Sequence, residues 1–189
     1  MSGSDEAVSP ADALPAIRGD GSVLGFDVGS RRIGVALGTP LAGQARALAV
    51  VDVHAAGPDW AAVDRLYREW RPDGFIVGDP LTLDGGSQPA RERAHGFARQ
   101  LQSRYRRQVL LVDERSSSME AAKRFARARA QGQKRRRDAV ALDAMAAAVI
   151  VDRWMGAPGD AIDIRAVVPT GDDPSTASGT ATTDSGKTA

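Results

Sequence analysis

Short apolar runs and segments of helical period alternate from about residue 22 to residue 156, and neither end of the chain carries them. Residues 23–28 and 32–37 read as two strands joined by the tight turn Gly29-Ser30-Arg31, and residues 46–53 form a third β-rich run. Trp60, Val63, Leu66, Tyr67 and Trp70 fall at helical spacing and mark an amphipathic helix that Pro72 closes. A short apolar strand at 74–78 leads into a loop at 79–86, then into a helix built on Ala90, Ala94, Phe97, Ala98, Leu101 and Tyr105. Residues 109–112 are wholly apolar, as in a strand covered on both faces. Ser117 and Glu120 have capping-box spacing and open a helix running to about Ala130; a last helix spans about 138–155. A three-strand meander followed by alternating strands and helices predicts an α/β domain with a mixed sheet and helices packed on it.

Composition narrows this picture. Residues 1–21 mix Pro, Gly, Ser and acids around few apolar side chains and read as a flexible leader, while 157–189 read as a mostly disordered tail. Within that tail, residues 161–168 (AIDIRAVV) alternate briefly, so docking as an edge strand and remaining tail are equal expectations. The folded part is then a single domain at 22–156. Lys plus Arg (25) nearly balances Asp plus Glu (24), so only the distribution of charge is informative. The absence of cysteine excludes disulfides, thiolate nucleophiles and cysteine zinc sites. No signal-peptide pattern or apolar run of about 20 residues is present, so a soluble cytoplasmic protein is expected.

Three carboxylates stand where charge is costly. Asp27 interrupts the apolar run LGFDVG, where it either serves a site or caps the following turn. Glu114 ends the strand VLLVDER, and strand alternation allows only one of Asp113 and Glu114 to face the same side as Asp27; a surface pair with Arg115 is the plainer alternative. Asp143 lies in an apolar stripe with Val140, Ala147, Ile150 and Trp154 on the last helix, unless a nearby arginine satisfies it there. Acids on two strands and a helix could converge on Mg2+ (or Mn2+), which prefers oxygen donors and leaves room for phosphate and water. His54 and His95 read as surface or packing residues rather than ligands.

Phosphate contacts have candidates too. The turn containing Arg31 and Arg32 follows Asp27 directly, and the Gly-rich loop 79–87 leads into a helix amino end that can receive an anion. Between Lys123 and Arg137 run Lys123, Arg124, Arg127, Arg129, Lys134, Arg135, Arg136 and Arg137 without an acid, a pattern that rewards a phosphate backbone.

The motifs LGFDVGSRRIGVALG (24–38), IVGDPLTLDGG (76–86), VDERSSSMEAAKRF (112–125) and DAMAAAVIV (143–151) occur in the order found in the YqgF-like family, which the chain resembles over about 22–156. Members are described as pre-16S rRNA nucleases and as Holliday junction resolvases. The resemblance implies a ribonuclease H-like fold with a mixed five-stranded sheet, a cytoplasmic location and a part in maturing the 5′ end of 16S rRNA. It places the family's catalytic and metal-binding acids on Asp27, Glu114 and Asp143, and its basic and loop positions on Arg32, Arg115 and the Asp84-Gly85 turn. Where the family more often has an apolar residue before the strand-end proline, this chain has Asp79, a candidate fourth metal carboxylate. Serines 116–118 replace the family's usual threonines and keep the hydroxyls.

The expected activity is therefore metal-dependent phosphodiester hydrolysis on nucleic acid. Resolution of four-way DNA, which needs a dimer presenting two sites, is the alternative. A non-catalytic RNA-binding protein is a second, and in any of these roles the chain is expected to be a monomer or homodimer. A two-lobed nucleotide-binding module would need more chain than this domain offers.

Overall fold

The computed structural model of the chain describes residues 14–81, 89–114 and 138–167. Within them, the apolar runs form β1 (Val23–Val28), β2 (Arg32–Gly38), β3 (Arg46–His54), β5 (Gly74–Asp79) and β6 (Gln108–Asp113). Two-residue strands β4 (Gly57–Pro58) and β7 (Ile162–Asp163) extend the edges. The strand order is β4-β3-β2-β1-β5-β6-β7. β1, β2 and β3 pair antiparallel, whereas β1, β5 and β6 run parallel. A meander whose first strand continues into parallel strands is the ribonuclease H-like arrangement expected above, with seven strands rather than five. β4 is too short for a periodicity to register; β7 lies in the briefly alternating segment for which edge strand and tail were equal expectations, and it pairs antiparallel with β6.

Helices cover both faces. On one, α1 (Trp60–Trp70) and α2 (Pro89–Tyr105) accompany a core of Leu24, Phe26, Ile33, Val35, Phe75, Val77, Phe97 and Leu101. Asp59 caps α1 by accepting the Ala62 amide at 3.0 Å, and Arg71, in the left-handed region at φ 42°, ends it ahead of Pro72. Trp60 stacks on Phe97 with centroids 5.2 Å apart, and Phe97 meets Phe26 edge-on at the same distance. On the opposite face lies α3 (Asp138–Gly156), packed through Ala147, Ala148, Ile150, Val151 and Trp154 against Val23, Ala36, Ile76 and Val112.

The α3 helix lies very close to the sheet because glycines stand beneath it at Gly25, Gly34 and Gly38. A Cβ on Gly25 or Gly38 would strike Val151, and one on Gly34 would strike the backbone carbonyl of Asp143. These glycines are therefore a docking surface for the helix.

Both flanks of the domain are tied down further out than composition suggested. Ile17 packs into the α3-side core, its amide donates to Gln108 Oε1 at 3.0 Å, and Arg18 pairs with Asp73. Beyond α3, Ile164 is fully buried. No described helix is long and apolar enough to cross a membrane.

Candidate active site

One row of residues crosses the sheet on its α3 side. Asp27 of β1 pairs in register with Gly34 of β2, and Gly78 of β5 pairs with Val112 of β6. Because Phe26 is in register with Val77, Gly78 is the residue beside Asp27 on the other neighbouring strand. The Asp143 backbone rests over Gly34, and the Glu114 carboxylate rests over Gly78, where a Cβ would collide with it. Strand spacing of about 4.8 Å then puts Asp27 between its two partners. Strand alternation had left one of Asp113 and Glu114 for this side of the sheet, and Glu114 is the one that reaches it.

Charges in this row act on one another. Burial first, and the Asp143 charge second, push the Asp27 carboxyl up from 3.8 to about 6. Glu114 is pushed from 4.5 up to about 7 by burial, then by the charges of Asp27, Asp79 and Asp113. Asp143 has a cationic partner: Arg32 Nε donates to its Oδ2 at 2.7 Å, with both side chains partly exposed. In this arrangement no group of three acids or imidazoles among the described residues is positioned to enclose an ion.

These shifts carry a sign. Raised carboxyls bind more protons in the folded chain than in the unfolded one between about pH 4 and 7, so in EDTA they remove stability as pH rises through that window. Asp27→Asn deletes one of them. In EDTA the margin by which its melting temperature exceeds the parent's should widen from pH 4 to pH 8; an equal gap at both values would show that burial does not strain this carboxylate.

Asp79, the candidate fourth ligand, belongs to a different set of contacts. It is 3% exposed and turns to the face covered by α2. There Arg91 grips it with Nε to Oδ1 at 2.9 Å and Nη2 to Oδ2 at 3.0 Å, and His95 Nε2 lies 3.0 Å from Oδ1. This ion pair accounts for its burial without a metal. His95 is accordingly a packing residue in a polar contact, and His54 ends β3 in an exposed position. Sequence reading missed Arg91 and His95, although an Arg and a His four apart in the opening turns of α2 share one face, which can meet a strand-end acid. It also missed Arg153, whose Nη1 donates to the Asp113 carbonyl at 2.6 Å beside Glu114. Arg115, the Asp84-Gly85 turn, the Ser117/Glu120 pair and the basic segment with Lys134, Arg135, Arg136 and Arg137 lie outside the described residues.

Known proteins of this kind are close in sequence. The family model described as "RuvX: Holliday junction resolvase" matches residues 21–157. A protein of Xanthomonas euvesicatoria pv. vesicatoria (strain 85-10), named "Putative pre-16S rRNA nuclease", is 70% identical over 149 residues, covering 79% of this chain and 96% of its own. Its namesake in Xanthomonas oryzae pv. oryzae (strain PXO99A) is 71% identical over 146 residues, covering 77% and 94%. Among solved structures, T. thermophilus RuvC in complex with a Holliday junction substrate aligns with a TM-score of 0.47 at 18% identity, over 75% of this chain and 99% of that one.

Proposed function

The chain belongs to the RuvX family, whose description is Holliday junction resolvase, and we propose that it is a nuclease trimming the 5′ leader of pre-16S rRNA with a divalent cation held by Asp27, Glu114 and Asp143. The row of three carboxylates over two glycines carries this reading. Nothing in packing rewards such a row; a cation would, by drawing together three acids that do not enclose a site as they stand, with Asp143 turned to Arg32. The donors are all oxygen, as magnesium or manganese prefers, and Gly34 and Gly78 let the Asp143 backbone and the Glu114 carboxylate come close to the sheet on either side of Asp27. When bound, the ion would supply Lewis acidity toward a phosphate and a water of lowered pKa.

The chain's own groups do the rest. Asp27 stands between the other two acids and can share a cation with either. Glu114 and Asp27, half-buried beside each other, hold their protons more tightly than ordinary carboxyls because their charges are costly there, and a cation taking the protons' place would relieve that cost. Arg32 holds Asp143 at its outer oxygen and presents a guanidinium at the rim, beside the Gly29 turn whose amide is tied to the Arg32 carbonyl at 3.0 Å. A phosphate arriving there meets positive charge before it meets the acids. Arg115 and the Lys134 to Arg137 cluster extend the same attraction along the nucleic acid in this reading.

Arg32→Gln should therefore raise KM and lower the slope of log affinity against log salt by about one phosphate contact. Binding titrations from 50 to 200 mM salt check it, and an unchanged slope would remove Arg32 from the interface.

The relatives' printed names favour RNA as substrate, while the family description favours four-way DNA. A direct comparison decides: with Mn2+ or Mg2+, cleavage of an RNA spanning the 16S 5′ leader is expected, and a mobile DNA junction should be cut far more slowly. Junction cutting alone would assign the site to DNA. Cleavage of neither, with either metal, would overturn the nuclease reading.

A further inference from the structure

Asp79 is the buried acid that the acidic row does not use. An ionised carboxylate in such a place is tolerated only when its lone pairs are met, and here Arg91 and His95 meet them from α2. As the carboxylate can only accept, His95 Nε2 is the donor. The first two turns of α2 are thus fastened to the last residue of β5.

The consequence lies on the main chain of the same residue. The β5–β6 ladder ends at the pair Asp79 and Asp113. Past that point, the Asp79 carbonyl accepts the Leu81 amide at 2.8 Å and the Glu114 amide at 3.2 Å. Glu114 therefore sits one residue beyond its strand and is held to β5 by this bond, while its carboxylate folds back over Gly78, the neighbour of Asp79. Strand ends fray when their last carbonyl is free to move. Here the carbonyl belongs to a residue whose side chain is clamped at both oxygens.

We propose that Asp79, clamped from behind the sheet by Arg91 and His95, is a positioning residue that fixes the main chain of Glu114 and so aims its carboxylate into the acidic row. The effect on metal rests on the nuclease reading; the effect on the Glu114 amide does not. A supporting side chain of this kind is worth about 10–100-fold in metal affinity when removed. Asp79→Asn removes the charge that draws in Arg91, Arg91→Met removes the two-pronged grip, and His95→Gln keeps a donor toward Oδ1.

Two measurements on the full chain separate the possibilities. In EDTA, amide hydrogen exchange followed by NMR should be about tenfold faster at Glu114 in Asp79→Asn and Arg91→Met, the equivalent of one lost hydrogen bond, with the Phe26 amide of β1 unchanged as an internal control for folding. His95→Gln should stay near the parent. Mn2+ titration should then show about 10–100-fold weaker binding in the first two variants, with KM for nucleic acid unaltered. Unchanged Glu114 exchange in both Asp79→Asn and Arg91→Met overturns the proposal. If the parent binds no Mn2+ at all, the nuclease reading falls while the exchange result still decides the role of Asp79.

Discussion

Asp27→Asn is expected to lower the cleavage rate about 1,000-fold or more while leaving the chain folded. Asp27 is the middle member of the row, flanked by Asp143 above Gly34 and by Glu114 above Gly78. Its loss removes the one carboxylate that can serve a cation on either side. Metal stabilisation of a phosphoryl transition state is worth several kcal/mol, and each 1.4 kcal/mol is about tenfold in rate. Asparagine keeps the shape and drops the charge, so the fold is not at risk; relief of the strained carboxylate should even raise stability above pH 7, as argued from its raised pKa. Single-turnover cleavage at saturating substrate, with Mn2+ varied, is the measurement. A variant within tenfold of the parent would mean that Asp27 does not hold the metal.

The second large effect is on the fold. Gly34→Ala should destabilise the domain by about 3 kcal/mol, near the upper end for overpacking a core, and lower its melting temperature by roughly 6–12 °C. The added Cβ would meet the carbonyl of Asp143 and come within 2.9 Å of the Ala144 amide nitrogen, both backbone atoms of α3 that cannot rotate aside. Relief requires lifting the helix, and the helix carries Asp143. Activity should fall with stability, and Mn2+ affinity with both. Gly25→Ala, whose Cβ would clash with the Val151 side chain and merely touch the Ala147 carbonyl at 3.4 Å, should cost less. Gly96→Ala, in open space within α2, should raise stability by up to about 1 kcal/mol. If Gly34→Ala melts like the parent in a calorimeter, the close approach of α3 to the sheet is not what holds it there.

Much of this architecture was legible in one dimension. Alternation and short apolar runs located β1, β2, β3, β5 and β6, and helical spacing located α1, α2 and α3, because each element must bury one face or stripe whatever its neighbours are. The candidate acids stood out for the converse reason: Asp27 and Asp143 place a charge where burial alone would select an apolar residue. The two-residue strand β4 carries no period, and Ile17 and Ile164 are isolated apolar residues, buried against the two cores, that composition averages away.

Asp79 marks the boundary of what the chain order reveals. Read in sequence it was one more acid at a strand end, a candidate fourth ligand behind Asp27, Glu114 and Asp143. Strand alternation turns it to the side opposite Gly78, but only α2, folded back across that side, decides that Arg91 and His95 meet it there.

By itself, the sequence determined the main elements and their order and singled out three acids in positions where charge is costly, since periodicity and burial cost are local properties of a chain. Only the tertiary structure decided that these acids form a row, with Asp27 between the others. That depends on register across four strands and on a helix lying directly on Gly34, contacts between residues far apart in the chain that no local pattern encodes.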